Sequence, residues 1–157
     1  MDLQRLLDAH FPMAAHMGVV VEAADPRRVV LRAPLAPNVN HAGTAFGGSL
    51  FSVAVLAGWA WVTCRLAEER IDADAVIQES RMRFLAPARG ELRAVLEAPT
   101  DAAVEKFGKM LRRSGRGRIG LRVDVRDGGT CAARFDGQFA ALLRRPSDRG
   151  VDPCPES

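Results

Sequence analysis

The chain has 157 residues, 48% hydrophobic and 26% charged, with a formal net charge of +3. That fits one domain with a sizeable core and excludes a disordered polymer. Cys64, Cys131 and Cys154 are odd in number and widely spaced, without a CxxC pair. This argues against a disulfide framework or a cysteine metal site, so no metal and a reducing cytoplasm are expected.

In chain order, Met1 leads straight into Asp2-Leu3-Gln4-Arg5, and no signal peptide is expected. Asp2 can cap a short amphipathic helix with Leu3, Leu6, Leu7 and His10 at helical spacing, its end bracketed by Pro12 and Gly18. Strands are predicted around 19–23 and 28–35, joined by a turn at Asp25-Pro26. Pro34 and Pro37 then open a polar loop. From about residue 47 to 69 the chain reads as one long helix with no polar face, because Leu50, Phe51, Val53, Val55, Leu56, Trp59, Trp61 and Val62 cover every side. Such a helix should be wrapped almost completely. A membrane span is the competitor, but the apolar stretch from Leu50 is closed by Arg65 and Glu68 and is too short.

The second half is strand-rich, with predicted strands at 76–85, 91–97, 118–126 and 130–139 and a short helix or crossover at 101–113. Ile119, Leu121, Val123 and Val125 alternate with Arg118, Arg122, Asp124 and Arg126, and Asp127-Gly128-Gly129 signals a hairpin. The sum is an α+β domain over residues 1–143, one mainly antiparallel sheet curled around one buried helix, with a polar, proline-rich tail at 144–157 expected to be disordered.

The segment Asn38-Val39-Asn40-His41-Ala42-Gly43-Thr44-Ala45-Phe46-Gly47-Gly48-Ser49-Leu50 resembles the hot-dog superfamily. Within it the chain resembles a thioesterase-type family that also occurs fused behind an acetyltransferase domain. The resemblance continues through Ala54-Val55-Leu56-Ala57-Gly58-Trp59 and the block from Glu79 to Pro87. It implies a homodimer or dimer of dimers, with pockets for acyl thioesters at the subunit interface. No cofactor is implied beyond the phosphopantetheine of acyl carrier protein or coenzyme A that carries the substrate. Physically, Gly43, Gly47 and Gly48 permit close backbone approach, and the following helix presents unpaired N–H groups to a developing enolate or oxyanion. Gly43, Thr44, Gly47, Gly48 and Ser49 are therefore substrate-binding candidates.

Many hot-dog hydrolases carry an asparagine, a histidine just before the Gly-Gly, and an acid one to two turns into the helix. Here Asn40 fits the asparagine, Phe46 stands at the histidine position and Val55 at the acid position. Hydrolysis needs a base or nucleophile, for which His41 and Glu79 are the candidates. Strand alternation groups Glu79 with Ile77, Arg81 and Arg83, opposite Gln78, Ser80, Met82 and Phe84, which puts Gln78 and Ser80 in the helix-facing row as further binding candidates. Decarboxylation asks less, since it needs only stabilisation of the enolate. Some members resembling this family are malonyl-acyl-carrier-protein decarboxylases that prime fatty-acid synthesis, and this is the first expectation. An acyl thioesterase is the alternative, and a non-catalytic acyl-thioester binder the second.

Lys109, Arg112, Arg113, Arg116 and Arg118, with Lys106, form the strongest charge feature and are candidates for a pantetheine phosphate or an acidic carrier protein. Only 6% of residues are aromatic and no recognition motif accompanies these cations, so neither nucleic acid nor membrane is an expected partner.

Overall fold

The computed structural model describes residues 1–144. The expected tail thus lies outside the described residues except for Arg144, whose guanidinium bonds Asp74 at 2.6 Å. Helix α1 (Leu3–His10) is capped by the Asp2 carboxylate, which accepts from the Arg5 N–H. Pro12 does not simply end a helix. It opens a second short one, α2 (Pro12–His16), at a first-turn position where a missing N–H costs nothing. Strands β1 (Val20–Ala24) and β2 (Arg28–Ala33) follow, their turn tied by Asp25 Oδ1 accepting from the Arg27 and Arg28 amides.

Helix α3 (Gly47–Glu68) runs through the middle of the molecule. Then come β3 (Ala73–Phe84), β4 (Leu92–Glu97), helix α4 (Asp101–Ser114), β5 (Arg116–Asp127) and β6 (Thr130–Leu143). The six strands form one antiparallel sheet in the order β1-β2-β4-β5-β6-β3. Strand β6 runs past its expected end at residue 139 because it is paired on both sides, with β5 and β3, out to its last residues.

The predicted alternation in β5 is present: Ile119, Leu121, Val123 and Val125 are buried and point at the helix. On the helix, Val53, Ala54, Ala57, Ala60 and Trp61 are fully buried. Each Val- or Leu-sized side chain so enclosed contributes roughly 1.5–3 kcal/mol. By length and composition α3 could cross a bilayer, but its residues are spent on this sheet instead. Trp61 also ties it to the β1–β2 turn, its indole N–H donating to Pro26 O at 3.0 Å.

Two expectations are corrected here. The helix is not wrapped on every side, because Phe51, Val55, Trp59 and Thr63 recur every fourth residue and stay half-buried or exposed. Phe11 covers part of this stripe, its ring standing edge-on to Trp59 at 4.7 Å. In β3 a bulge at Gln78 breaks the alternation: Ile77 pairs with Phe139, but Glu79 pairs with Gln138. Ile77 therefore shares the inner face with Phe139, while Glu79, Arg81 and Arg83 lie on the outer one.

Gly58 sits mid-helix, where glycine costs about 1 kcal/mol relative to alanine. A Cβ there would lie 2.2 Å from the Phe139 ring, so the glycine is what lets β6 approach the helix. Gly58→Ala should destabilise the fold by about 1–3 kcal/mol despite the better helix propensity. Denaturant unfolding checks this, and Gly58→Ala combined with Phe139→Leu should recover part of the loss.

Candidate functional site

The loop before α3 is built by two asparagines with different tasks. Asn40 makes a closed turn: its Oδ1 accepts from the Ala42 and Thr44 amides at 2.9 and 3.1 Å, and its Nδ2 donates to Thr44 Oγ1 at 2.9 Å. A fourth bond, Nδ2 to Ala45 O, is long at 3.4 Å. The turn closes on Gly43, whose φ of 73° suits a residue without Cβ. Asn40 is thus held rigidly, and one amide hydrogen is only weakly engaged.

Asn38 is the anchor. It is 1% exposed, and its Nδ2 donates to Met17 O at 2.8 Å and Pro34 O at 2.7 Å. Its carbonyl O accepts from the Phe46 amide at 2.7 Å, which fixes the start of α3. Sequence reasoning did not single it out, and a buried asparagine within a proline-flanked loop was the available signal.

No side chain caps the first turn of α3. The Ser49 and Leu50 amides both turn back to Phe46 O, leaving the first glycine N–H groups for an outside acceptor. The Phe46 ring lies over Gly48, where a Cβ would come within 2.3 Å of it, and the Phe84 ring stands 3.3 Å from where a Gly47 Cβ would be. Both rings are more than half exposed. Phe84 belongs to a mostly apolar groove of about 410 Å³ formed with Ala45, Gly47, Leu50, Leu85 and Pro87. Phe84 is the second residue the sequence did not single out. Thr44 in the loop, Ser49 in the first turn of α3 and Val55 further along the helix are half-buried.

The other candidates are placed elsewhere. His41 is exposed on the Asn40 turn. Glu79 lies five residues before Phe84 on β3, about 17 Å along an extended strand, so one chain does not bring it to the helix terminus. Arg83 pairs with Asp136 at 3.4 Å rather than with Glu79. Glu79 and Ser80 instead line a separate hollow with Arg81, Gly120, Asp136 and Gln138, and the bulged Gln78 is exposed beside it. Cys64 supplies no nucleophile, because burial pushes its thiol up to about 11.

The basic segment is split. Arg112 bonds Glu69 at the far end of α3, and Lys109 pairs with Glu105 at 2.6 Å. Lys106, Lys109 and Arg113 line a shallow hollow on α4, whereas Arg116 and Arg118 lie on β5 in the row that alternates with its buried residues.

The family model described as "Putative thioesterase (yiiD_Cterm)" matches residues 1–143. Among solved structures, a protein of unknown function from Chlorobaculum tepidum is 33% identical, over 90% of this chain and 93% of that one, with a TM-score of 0.85. A "putative thioesterase" from Shewanella oneidensis is 25% identical, over 90% and 95%, with a TM-score of 0.80. A Pseudomonas aeruginosa protein at 23% identity, covering 90% and 94% with a TM-score of 0.77, shares the fold.

Proposed function

We infer the reaction from one premise: the chain belongs to the YiiD_C thioesterase family, has the hot-dog fold, and so acts on acyl thioesters. The reaction proposed is decarboxylation, in the cytoplasm, of a malonyl thioester on acyl carrier protein to the acetyl thioester that primes fatty-acid synthesis. One observation carries this choice over hydrolysis. At the helix terminus stand two phenylalanines, and α3 holds neither histidine nor any acid before Glu68.

In the proposed step the bond between the α-carbon and the malonyl carboxylate breaks and carbon dioxide leaves. Its electron pair becomes the enolate of the thioester, and a proton from water then completes the acetyl group. The enolate oxygen is met by the free N–H groups of the first helical turn and the weakly held amide hydrogen of Asn40. The Phe84 wall of the groove and the Phe46 ring over Gly48 disfavour a localised carboxylate charge more than a delocalised enolate held by donors. Hydrolysis of an acyl-CoA or acyl-carrier-protein thioester is the second reading, favoured by His41 on the Asn40 turn as the available base.

The proposal includes a second copy of the chain. Strand β3 is a free sheet edge, with Val76 40%, Ile77 37% and Phe84 59% exposed, and Leu85 just after it 52% exposed. The uncovered stripe of α3 adds Phe51 at 37%. A long free edge carrying these exposed apolar residues invites pairing, and pairing with itself about a two-fold axis is antiparallel. A dimer formed so, or a dimer of dimers, covers the grooves beside Phe84. The carrier docks on Lys106, Lys109 and Arg113 of α4, which remain in water as an acidic partner requires.

Mass spectrometry of malonyl-acyl carrier protein incubated with the enzyme should show acetyl product. Free carrier thiol would instead establish hydrolysis, and unchanged substrate a binding protein. Asn40→Ala should lower turnover on the order of 100-fold. Asn40→Asp, which can keep the turn but loses the donor, should be equally slow, and wild-type turnover of that variant would make Asn40 only a brace. Ile77→Asp should give a folded monomer by light scattering with little activity. For the carrier, Lys106→Glu with Arg113→Glu should raise KM at low salt and leave the salt-insensitive part of kcat unchanged.

A further inference from the structure

The outer face of the sheet carries a row of like charges that the reaction does not use. In the strand register Arg32 of β2 stands directly opposite Arg93 of β4, and Arg93 directly opposite Arg126 of β5. Like charges so placed destabilise a sheet unless anions lie between them. Three of the anions present are shared: Glu22 serves Arg93 and Arg32, Asp124 serves Arg134 and Arg126, and Asp136 serves Arg122 and Arg83, while Glu91 also pairs with Arg32 and Glu97 with Arg28. Arg126 has the poorest share, 3.7 Å from an Asp124 oxygen, while Arg134 holds that carboxylate at 2.7 Å.

The row borders a cleft of about 860 Å³. It opens because β4 and β5 are paired only from Leu92–Val95 to Asp124–Asp127 and then part, as the chain leaves for α4. Four guanidiniums line it, Arg28, Arg93, Arg122 and Arg126, against two carboxylates, Glu97 and Asp124. Each guanidinium has five donors, and the pairs above use only some of them. Val95, Ala98, Pro99 and Ala103 supply an apolar wall, and Gly120 leaves a notch in the floor, where an added Cβ would meet nothing nearer than Gln138 Oε1 at 3.8 Å. The start of α4, at Thr100 and Ala103, adds the positive end of a helix dipole.

We infer that this cleft binds a phosphorylated ligand of nucleotide size, its phosphates on Arg93, Arg122 and Arg126 and its flat apolar part on the Val95–Pro99 side. Arginine forks suit phosphate oxygens, and the volume lies within the usual range for small-molecule sites. Inorganic phosphate would use the cations but not the apolar wall. The site lies apart from the Gly47 groove, so it stands whichever thioester reaction the enzyme performs.

Isothermal titration calorimetry at low salt, with adenosine 3′,5′-bisphosphate, ATP and inorganic phosphate as separate probes, tests this. At least one nucleotide should bind, about tenfold or more tighter than phosphate, and weaken as salt rises. Preference between the two nucleotides tells whether a coenzyme-A-type or a triphosphate ligand is the natural source. Arg126→Glu should weaken binding by about tenfold or more, and Gly120→Leu, which fills an open notch, should do so without loss of thermal stability. The inference is overturned if no nucleotide binds, if phosphate binds as tightly as the nucleotides, or if both variants bind like wild type. It is also overturned if only acidic carrier protein binds this face and Arg126→Glu abolishes that.

Discussion

An apolar helix of twenty-two residues cannot stand in water, and the rest of this molecule follows from covering it. One sheet does most of the work, curling so that β2, β4, β5 and β6 present buried rows to it. The approach is close enough that Gly58 and the Phe139 ring compete for the same space. The cover is incomplete along Phe51, Val55, Trp59 and Thr63, and the sheet ends on the exposed strand β3. Both gaps are apolar and both flank the proposed site, so the remaining hydrophobic cover and the chemistry are tied to one surface.

The same helix sets the character of the site. Its first turn opens on two glycines with no capping side chain, and its partial positive charge meets an apolar groove. Asn38 fixes where the turn begins and Asn40 fixes the loop that approaches it. These are buried or locally satisfied polar groups, which makes the loop stiff without adding a base. A rigid donor set beside aromatic rings stabilises charge better than it moves protons, and this is the ground on which enolate chemistry is proposed.

The convex face follows a different logic. Its strands alternate apolar and charged positions as a one-sided sheet must, but the register brings arginine opposite arginine three times. Glu22 is held below its ordinary carboxylate range, chiefly by its hydrogen bond to Arg93, and Asp124 likewise by Arg134. Each carboxylate is thus already strongly engaged, and the positive surplus faces water beside a cleft.

Much of this was legible in the sequence. The unbroken apolar helix, the alternation of Ile119, Leu121, Val123 and Val125, and the hairpin at Asp127-Gly128-Gly129 are local patterns, and local physics produces them wherever they occur. The glycine-rich entry to α3 and the lack of histidine and acid around it were equally visible, because they concern which residues are present. What tertiary structure alone decided concerns which residues meet. Strand order is set by packing between distant segments, so nothing local placed β3 at the edge. The bulge at Gln78, which moves Ile77 to the inner face, arises from pairing with β6 and has no signature in β3 itself. Nor could spacing show Arg32, Arg93 and Arg126 in one row, because register is fixed by burying the opposite face of each strand.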